Sequence, residues 1–570
     1  MRLLEPLRLG PLEAPNRVMF GPHVTNLGDD DRRFTARHVA YYARRSGGGC
    51  GIIVTEGASV HHSDWPYERA PLASRSENGW KEIADACHSD GSLVIASLDH
   101  AGGQGSSAYN QMPLWAPSRV PEVNSRETPK WMEADDIDAV IEGFGEATRL
   151  AVSAGCDGVE INAGQHSLVR QFMSGLTNHR DDEWGTERQR FAREVIAAAR
   201  PHTEMLGLRL CCDELAPWAG MTPEMAPQIA ADLVGSGVDY VVVVRGSIYS
   251  AEKTRPDFHE PPGFNIDVCR AVKAAVPNTP VFLQGSVVDS GEAEWAIAND
   301  VCDAVEMTRA QIADPDVVAK LRSGRARQIR PCILCNQTCQ VRDARNPIVS
   351  CVGEPSAGRE TEDPDWYLPT DDRRSVVVAG AGVAGLETGR VAATRGHRVV
   401  VVDRARRPGG LAAVAGPGGR LVAWLEAECR RLGVEIATGT NEVPAGDVMV
   451  QCTGSQPGRR DYEVDDPSML FDIAEVRGGM PLPPGLITVF DPIGGPIAVA
   501  LAEELGDRAI LLTQDHIAGN ELSRTGDLAP ANVRLAQRGV TIERRTLLRA
   551  VRRGEVEVEN RFSGERRTIP

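Results

Sequence analysis

The sequence predicts an α/β protein that begins with a (β/α)8 TIM barrel, continues through a cysteine loop and ends in Rossmann-like domains. Three observations support this prediction. Eight short apolar runs alternate with helix-like stretches over about the first 310 residues, as strands and helices do in a closed parallel barrel. Four cysteines then fall close together, from Cys332 to Cys351. Further on, the glycine turn GAGVAG follows the apolar run SVVVA and opens another helix-like stretch.

Each barrel strand is marked by an apolar, β-branched run that ends in glycine or polar residues. The runs are NRVMFGP, GIIVTEG, LVIASL, DGVEIN, LGLRL, DYVVVVR, PVFLQG and DAVEMT. Between them lie amphipathic stretches such as DDIDAVIEGFGEATRLAVSAG, whose apolar residues recur at helical spacing. The chemistry of such a barrel takes place at the carboxyl ends of its strands. The residues that directly follow each run are therefore the first candidates for a functional site.

The clustered cysteines have the spacing C-x2-C-x3-C-x11-C, formed by Cys332, Cys335, Cys339 and Cys351. Iron–sulfur clusters need several thiolates around one inorganic core, and structural zinc also uses four cysteines, usually as two CxxC pairs. The third and fourth cysteines do not form such a pair, so the spacing favours iron–sulfur over zinc and leaves both open. A chance grouping of free cysteines is the third alternative.

The stretch GEPSAGRETEDPDWYLPTDDRR after the cysteines is rich in proline and acidic residues and lacks apolar periodicity, which is typical of a linker. We therefore predict four parts. They are a barrel over 1–325, the cysteine segment and linker over 326–370, a first Rossmann-like domain over 371–460 and a degenerate second one over 461–570.

The first glycine turn contains Gly380, Gly382 and Gly385, and about twenty residues later Asp403 ends the run VVVVD. Strand, turn, helix, strand and acid in this order are typical of a dinucleotide site. The glycines admit a pyrophosphate that faces the helix N-terminus, and the acid accepts from a ribose hydroxyl. A second version, GLITVFDPIGGP, lacks GxGxxG and predicts poor nicotinamide binding, or binding of ADP without redox use.

The composition limits the possible partners and the location. The chain has 570 residues and a net charge of −17, from 62 basic and 79 acidic residues. An acidic protein has no general attraction for nucleic acid or anionic lipid, so we expect neither as a partner. The N-terminal segment lacks the apolar core of a signal peptide, and no run of about 18 apolar residues predicts a membrane span. The scatter of 13 cysteines fits a reducing cytoplasm.

The order of barrel, four-cysteine loop and dinucleotide fold resembles the 2,4-dienoyl-CoA reductase and trimethylamine dehydrogenase group of the Old Yellow Enzyme superfamily. CILCNQTC matches that group's CxxCNQxC, and DGVEINAGQHSLVRQFMSGLTNHRDDEWG matches its barrel motif. The resemblance covers nearly the whole chain. It implies FMN in the barrel, a [4Fe–4S] cluster on the four cysteines, FAD in the first Rossmann-like domain and possible use of NAD(P)H. Electrons would pass singly through the cluster between the two flavins.

The resemblance also assigns FMN contacts to particular residues. Arg209 would lie near the flavin N1/O2 edge, where a cation stabilises the anionic reduced flavin, and Gly285 and Arg309 would hold the phosphate. Val24 stands where trimethylamine dehydrogenase has the cysteine that links covalently to FMN, so we expect FMN to bind non-covalently. The other predicted FMN-binding residues are Pro22, His23, Gly57, Ser97 and His100.

The sequence departs from the family pattern where the substrate is anchored. The family's His-x-x-His or His-x-x-Asn pair falls on Asn162 and Gln165, and its proton-donating tyrosine falls on Ser167. Amides can donate hydrogen bonds to a substrate carbonyl but cannot act as acids, so proton transfer needs another group. The candidates for that group, each of which could equally be structural, are His166, Tyr249 and His259.

The resulting prediction is a flavin-dependent NAD(P)H oxidoreductase that reduces an activated C=C bond of a small molecule. One alternative is an amine dehydrogenase or N-demethylase that passes electrons to a carrier protein. Another is a non-catalytic electron-transfer or scaffold subunit.

The sequences of the barrel stretches FGPHVTN, SDWPYERAP and HAGGQGSSAYNQ resemble those of mycofactocin-system oxidoreductases. This resemblance implies a redox partner protein or a peptide-derived cofactor. A homo-oligomer is also possible. Family members usually continue beyond ENRFSGERRTIP, back into the FAD domain, so that domain is expected to be short here.

Overall fold

The computed structural model describes residues 1–341, 347–362, 364–455 and 458–570. They form two compact units, Met1–Pro364 (unit 1) and Asp365–Pro570 (unit 2). The boundary falls inside the predicted cysteine segment and linker. Among the described residues, no helix combines the length and the apolar character that a membrane crossing requires.

Unit 1 contains a closed barrel of eight parallel strands in sequential order. The strands are β1 (Val18–Phe20), β2 (Ile52–Val54), β3 (Leu93–Asp99), β4 (Gly158–Ala163), β5 (Leu206–Cys211), β6 (Tyr240–Val244), β7 (Val281–Leu283) and β8 (Ala304–Glu306). Strand β8 pairs with β1 through Val305 and Val18, which closes the barrel. The predicted fold class is confirmed, and each of the eight predicted runs overlaps one strand.

Helices cover the outside of the barrel, so its strands are apolar on both faces. Every residue of β2 and β6 is buried. The helices of unit 1 are α1 (Ala36–Gly47), α2 (Glu77–His88), α3 (Ala134–Ser153), α4 (Leu168–Met173), α5 (Glu183–Thr186), α6 (Arg190–Ala199), α7 (Ala226–Val234), α8 (Ala251–Thr254), α9 (Ile266–Ala275), α10 (Ser290–Ala298), α11 (Thr308–Ala313) and α12 (Val317–Arg322). Helix α3 shows the pattern, because Ile137, Val140 and Phe144 recur on its buried face.

Two pairs of short strands and one single short strand accompany the barrel. Leu7–Leu9 forms an antiparallel pair with Leu12–Ala14, Ala58–Ser59 extends the sheet beside β3, and Trp115–Ala116 pairs with Lys130–Trp131. The cysteine loop has no helix or strand within 329–341 or 347–362.

Unit 2 contains two parallel sheets and one mainly antiparallel sheet. The first sheet has the order β11-β10-β9-β12, and its strands are β9 (Ser375–Ala379), β10 (Arg398–Asp403), β11 (Glu435–Thr438) and β12 (Val448–Gln451). Helices α13 (Val383–Thr394) and α14 (Gly418–Arg431) connect these strands. This is the strand, turn, helix and strand arrangement that the first glycine turn predicts.

The second parallel sheet has the order β13-β14-β15. Its strands are β13 (Ile487–Asp491), β14 (Ala509–Thr513) and β15 (Thr541–Glu543), and the helices of this region are α15 (Ile473–Arg477), α16 (Pro496–Leu505) and α17 (Leu528–Gln537). Strands β16 (Thr546–Arg552), β17 (Glu555–Asn560) and β18 (Arg566–Ile569) form the antiparallel sheet, with Glu463–Val464 at its edge. One apolar core joins β14 to this sheet and a separate core joins β14 to α16 and α17, so the region has three layers.

Candidate functional site

A cleft opens at the carboxyl ends of the barrel strands in unit 1. It contains about 1450 Å³ of space that protein atoms do not fill, part of it open to solvent. Ten of the residues predicted from the sequence line this cleft: Pro22, His23, Gly57, Ser97, Asn162, Gln165, His166, Arg209, Gly285 and Arg309. Cys339 and Val341 of the cysteine loop line the same cleft. The structure thus brings the predicted FMN-binding residues other than His100 together with the cysteine loop.

Arg209 lies in this cleft between two carboxylates. Its Nε donates to Glu160 Oε1 (2.8 Å) and its Nη2 to Glu306 Oε2 (2.7 Å). The Tyr240 hydroxyl donates to the other oxygen of Glu160 (3.1 Å), and the Thr308 hydroxyl to the other oxygen of Glu306 (3.1 Å). Burial alone would lower the pKa of Arg209, but the two carboxylates outweigh it and raise that pKa above its ordinary value. Arg209 is therefore a permanent cation.

Arg309 connects three loops at the edge of the cleft. Its Nη2 donates to Ser286 Oγ (2.6 Å), and its Nη1 donates to the Pro256 carbonyl (2.9 Å) and to Asn336 Oδ1 (2.7 Å). The neighbouring turn has left-handed backbone at Gly285 (φ 118°) and at Ser286 (φ 61°). A guanidinium beside such a turn is suited to a phosphate dianion. These residues fit the phosphate of FMN.

His23 presents a neutral ring to the cleft. Its Nδ1 lies 2.9 Å from the Gly21 carbonyl, which can only accept, so Nδ1 carries the proton. Its Nε2 then accepts from the Tyr41 hydroxyl at 2.9 Å. Burial lowers the pKa of His23, which keeps the ring uncharged.

Of the predicted catalytic residues, three lie together at the carboxyl end of β4, with Asn162 in the strand and Gln165 and His166 on the loop that follows it. Asn162 Oδ1 accepts from the Gly164 amide (2.9 Å), and Gln165 Nε2 donates to the Thr254 carbonyl (3.0 Å). Both amides are therefore partly engaged by the protein itself. His166 lines the cleft beside them and is the one titratable side chain of the three.

Two hydroxyls close to the cleft are engaged by the protein. Ser167 caps α4 by accepting from the Val169 amide (3.0 Å), so it has a structural role at the position of the family's tyrosine. Tyr67 lines the cleft, yet its hydroxyl donates to Glu56 Oε1 (2.8 Å). Glu56 also accepts from His38 Nε2 (2.9 Å) and is fully buried. This acid is the second residue after β2, where the sequence could have indicated it.

Three other predicted site residues are not among those that line the cleft. Tyr249 is 42% exposed on the turn Ile248–Ser250. The His259 ring contacts the Asp257 carboxylate (3.0 Å) and is exposed. His100 is buried, and burial lowers its pKa. The roles assigned to these three residues stay predictions.

The four cysteines of the loop are partly buried thiols. Burial raises the pKa of Cys332 to about 12 and that of Cys335 to about 11, and it also raises the pKa of Cys351. Such thiols keep their protons until a metal displaces them. An all-sulfur set of four on a compact loop fits an iron–sulfur cluster, and zinc accepts the same donors.

Asn336, inside CILCNQTC, ties the cysteine loop to the barrel. It is 3% exposed and has left-handed backbone (φ 50°). Besides accepting from Arg309, its Nδ2 donates to the Arg255 carbonyl (2.7 Å). Sequence reasoning treated this asparagine only as part of the family motif and missed its link to the phosphate-binding arginine.

The first glycine turn of unit 2 has the shape of a pyrophosphate cradle. A Cβ at Gly380 would lie 2.1 Å from the Cys452 carbonyl oxygen, and one at Gly385 would lie 1.7 Å from the Gly380 oxygen. A Cβ at Gly382 would meet no atom within 4 Å. Two glycines therefore allow tight packing, while the middle one faces open space, as a dinucleotide fingerprint requires.

Asp403 ends β10 beside this turn. Its Oδ2 accepts from the Ala381 amide (2.6 Å) and its Oδ1 from the Ala405 amide (2.8 Å). These contacts hold the acid against the glycine turn. Gln456 and Pro457, the end of the predicted VQCTGSQP segment, lie outside the described residues.

The second glycine turn differs from the first because its backbone amides already donate to a carboxylate of the protein. Asp491 ends β13, is 2% exposed, and accepts through Oδ1 from the amides of Gly494 (2.8 Å) and Ile493 (3.2 Å). Burial raises the pKa of this carboxyl group. In a dinucleotide site those amides face the pyrophosphate. This turn does not fit a diphosphate.

The comparisons with known proteins agree with this geometry. Residues 2–328 match the model of the NADH:flavin oxidoreductase / NADH oxidase family. An N,N-dimethylglycine/sarcosine dehydrogenase from Chromohalobacter salexigens is 30% identical over 542 residues, which are 89% of this chain and 78% of that protein. A metal reductase from Desulforamulus reducens is 34% identical over 459 residues, which are 78% of this chain and 67% of that protein.

The solved structures include a 2-naphthoyl-CoA reductase in complex with 2-naphthoyl-CoA. It superposes with a TM-score of 0.92 over 100% of this chain and 91% of that chain, at 24% sequence identity. This match shows a common fold.

Proposed function

The chain belongs to the NADH:flavin oxidoreductase / NADH oxidase family, and from this premise we propose that its barrel cleft binds FMN non-covalently and exchanges a hydride with a small organic substrate. The chain is a flavin-dependent oxidoreductase of the Old Yellow Enzyme, dienoyl-CoA reductase and trimethylamine dehydrogenase type. The observation that carries the proposal is the cleft itself. Arg209, the Ser286–Arg309 pair and Cys339 all line it.

The residues of the cleft have distinct tasks in this proposal. Arg309 and the turn at Gly285 hold the FMN phosphate, and Arg209 faces the pyrimidine edge of the flavin. His23 offers a neutral ring with fixed proton positions. When bound, FMN supplies two-electron hydride chemistry.

His166 is the residue that we propose moves the proton of the reaction. It lines the cleft, and histidine changes charge near neutral pH. The amides of Asn162 and Gln165 orient the substrate carbonyl without exchanging protons.

Two further cofactors belong to the proposal. Cys332, Cys335, Cys339 and Cys351 would hold a [4Fe–4S] cluster, which supplies one-electron exchange. Gly380, Gly382 and Gly385 would hold the pyrophosphate of FAD.

The first candidate reaction is reduction of an activated C=C bond with electrons from NAD(P)H, in a mycofactocin-linked pathway. The assignment to this pathway is supported only by the sequence resemblance of barrel stretches such as FGPHVTN. A redox partner protein, a homo-oligomer and a cytoplasmic location stay predictions.

Oxidation of an N-methyl amine, with electrons leaving to a carrier protein, is the second candidate. Asp491 favours it, because a carboxylate in the second glycine turn disfavours a nicotinamide dinucleotide there. The 30% identical relative is an N,N-dimethylglycine/sarcosine dehydrogenase, which also supports this candidate.

Anaerobic spectral titration of the purified holoenzyme tests the proposal. Flavin, iron and labile sulfide are first quantified after extraction, and zinc without iron would exclude the cluster. NADH, NADPH, N,N-dimethylglycine and sarcosine are then added separately. Bleaching of the flavin by NADH or NADPH supports the reductase, provided that an enone then reoxidises it. Bleaching by the amines alone supports the dehydrogenase. Extraction of no FMN would refute the proposal.

A further inference from the structure

Glu306 is a cleft residue that the sequence analysis did not single out. It is the last residue of β8, and its carboxylate lines the cleft. One oxygen accepts from Arg209 Nη2 (2.7 Å) and the other from the Thr308 hydroxyl (3.1 Å). Hydrogen bonds therefore hold both oxygens of the carboxylate in place.

The backbone makes room for this carboxylate. A Cβ at Gly21 would lie 2.2 Å from Glu306 Cδ, so a side chain at that position would displace the acid. The Gly21 amide donates to the Thr308 hydroxyl (2.8 Å), which in turn donates to Glu306. The end of β1 thus supports the position of Glu306 both sterically and through hydrogen bonds.

Glu306 changes the charge that the cleft presents. Glu160 is fully buried, is not among the lining residues, and would by itself form a neutral pair with Arg209. Glu306 adds a second carboxylate to the same guanidinium, and this one faces the cleft. With both acids ionised, the three side chains carry a net charge of −1 instead of zero. Inside a protein such charges act strongly on one another because water screens them poorly.

We propose that Glu306 is a positioning residue that acts through Arg209 to disfavour negative charge on the reduced flavin. A hydride brings two electrons and one proton to the neutral oxidised ring of FMN, so the reduced ring would be an anion beside Arg209 unless N1 takes up a further proton. A second carboxylate that faces the cleft beside that arginine opposes the anionic form and so lowers the reduction potential. The reduced flavin is then a stronger electron donor to the substrate or to the iron–sulfur cluster. This inference rests on the proposed function, because it requires FMN in the cleft.

The test is the midpoint potential of FMN in the holoenzyme, measured by anaerobic titration against reference dyes. Glu306→Gln keeps the shape and removes the charge. We expect the two-electron reduction equilibrium to shift at least tenfold towards reduced FMN, which is about 30 mV for a two-electron couple. The matched control is Asp239→Asn. Asp239 pairs with Arg200 (2.6 Å) just before β6, at the opposite end of a strand from the cleft, and we expect its removal to shift the equilibrium less than threefold.

The possible outcomes separate the two claims. If Glu306→Gln binds FMN with an unchanged potential, or shifts no more than Asp239→Asn, the inference is wrong while the FMN site stands. If the unsubstituted protein contains no FMN, the proposed function itself fails. If Glu306→Gln does not fold, Glu306→Asp is measured instead. It keeps the charge but withdraws it from Arg209 by one methylene, and it should shift the equilibrium in the same direction by a smaller factor; no shift would overturn the inference.

Discussion

Replacing Asn336 by alanine should release the proposed iron–sulfur cluster without disturbing the barrel. The asparagine is the buried anchor of the cysteine loop, where it accepts from Arg309 (2.7 Å) and donates to the Arg255 carbonyl (2.7 Å). Alanine removes both hydrogen bonds. It leaves the cysteines themselves unchanged, so any loss of the cluster reports on how the loop is held.

The size of the effect follows from these two contacts. A hydrogen bond to a charged group contributes about 2 kcal/mol and a neutral one about 1 kcal/mol. Losing both should favour opening of the loop by about 3 kcal/mol, which is about a 100-fold change in the opening equilibrium. Alanine also tolerates the left-handed backbone (φ 50°) less well than asparagine, which acts in the same direction.

The assay is the rate at which an iron chelator removes the cluster, followed by absorbance under anaerobic conditions. Asn336→Asp is the matched control, because a carboxylate still accepts from Arg309 and loses only the bond to the Arg255 carbonyl. We expect about a 100-fold faster loss for Asn336→Ala and about a 5-fold faster loss for Asn336→Asp, from the bonds that each removes. Equal rates in all three proteins would show that Asn336 does not hold the loop.

Three further predictions concern the glycine turns and the dependence on pH. Gly385→Ala places a Cβ 1.7 Å from the Gly380 oxygen, a contact that the close packing of the dinucleotide fingerprint does not allow. Extracted FAD should therefore fall below about a tenth of its content in the unsubstituted protein, with FMN unchanged. Retention of FAD would show that this glycine turn is not the FAD site. Asp491→Ala should free the amides of the second glycine turn, because the carboxylate that now accepts from them is gone. ADP should then bind about tenfold more tightly, as measured by calorimetry. Unchanged affinity would show that the carboxylate does not block the site. Burial lowers the pKa of His61 from its ordinary 6.5 to about 4, with His62 and His100 adding to the shift. The unfolded chain then binds more protons at this site between those values, so the free energy of unfolding should fall as pH drops from about 6.5 to about 4. His61→Asn should weaken that dependence in urea titrations, and an identical pH profile would refute the assignment.

The barrel could be predicted from the sequence because its strands are buried on both faces. Each strand must then be a continuous apolar run, and each run ends where polar residues begin the cleft. Arg209 and Arg309 could be placed for the same reason, since Arg209 lies near the carboxyl end of one such run and Arg309 directly follows another. The closing contact between β8 and β1 follows from counting eight strands.

The loops could not be predicted in the same way. Tyr249 lies five residues and His259 fifteen residues after the end of β6, and neither is among the residues that line the cleft. Their directions depend on turn geometry that residue types do not determine. The sequence could have indicated Glu306 as a site residue, because it ends a strand three residues before the predicted site residue Arg309. Its importance depends on its distance to Arg209, which no spacing along the chain reveals.

The shared guanidinium of Arg309 has a consequence for how the enzyme is assembled. The same side chain contacts Asn336 of the cysteine loop and Ser286 of the turn that fits a phosphate. Ordering of the cysteine loop therefore positions Arg309 for the phosphate, and binding of the phosphate positions Arg309 for the loop. Thermodynamic linkage requires the two effects on binding affinity to be equal. With the proposed cofactors, the factor by which cluster insertion raises flavin affinity equals the factor by which flavin binding raises cluster affinity. Loading of the two centres would thus be cooperative, and cells starved of iron would accumulate a protein that also retains its flavin poorly.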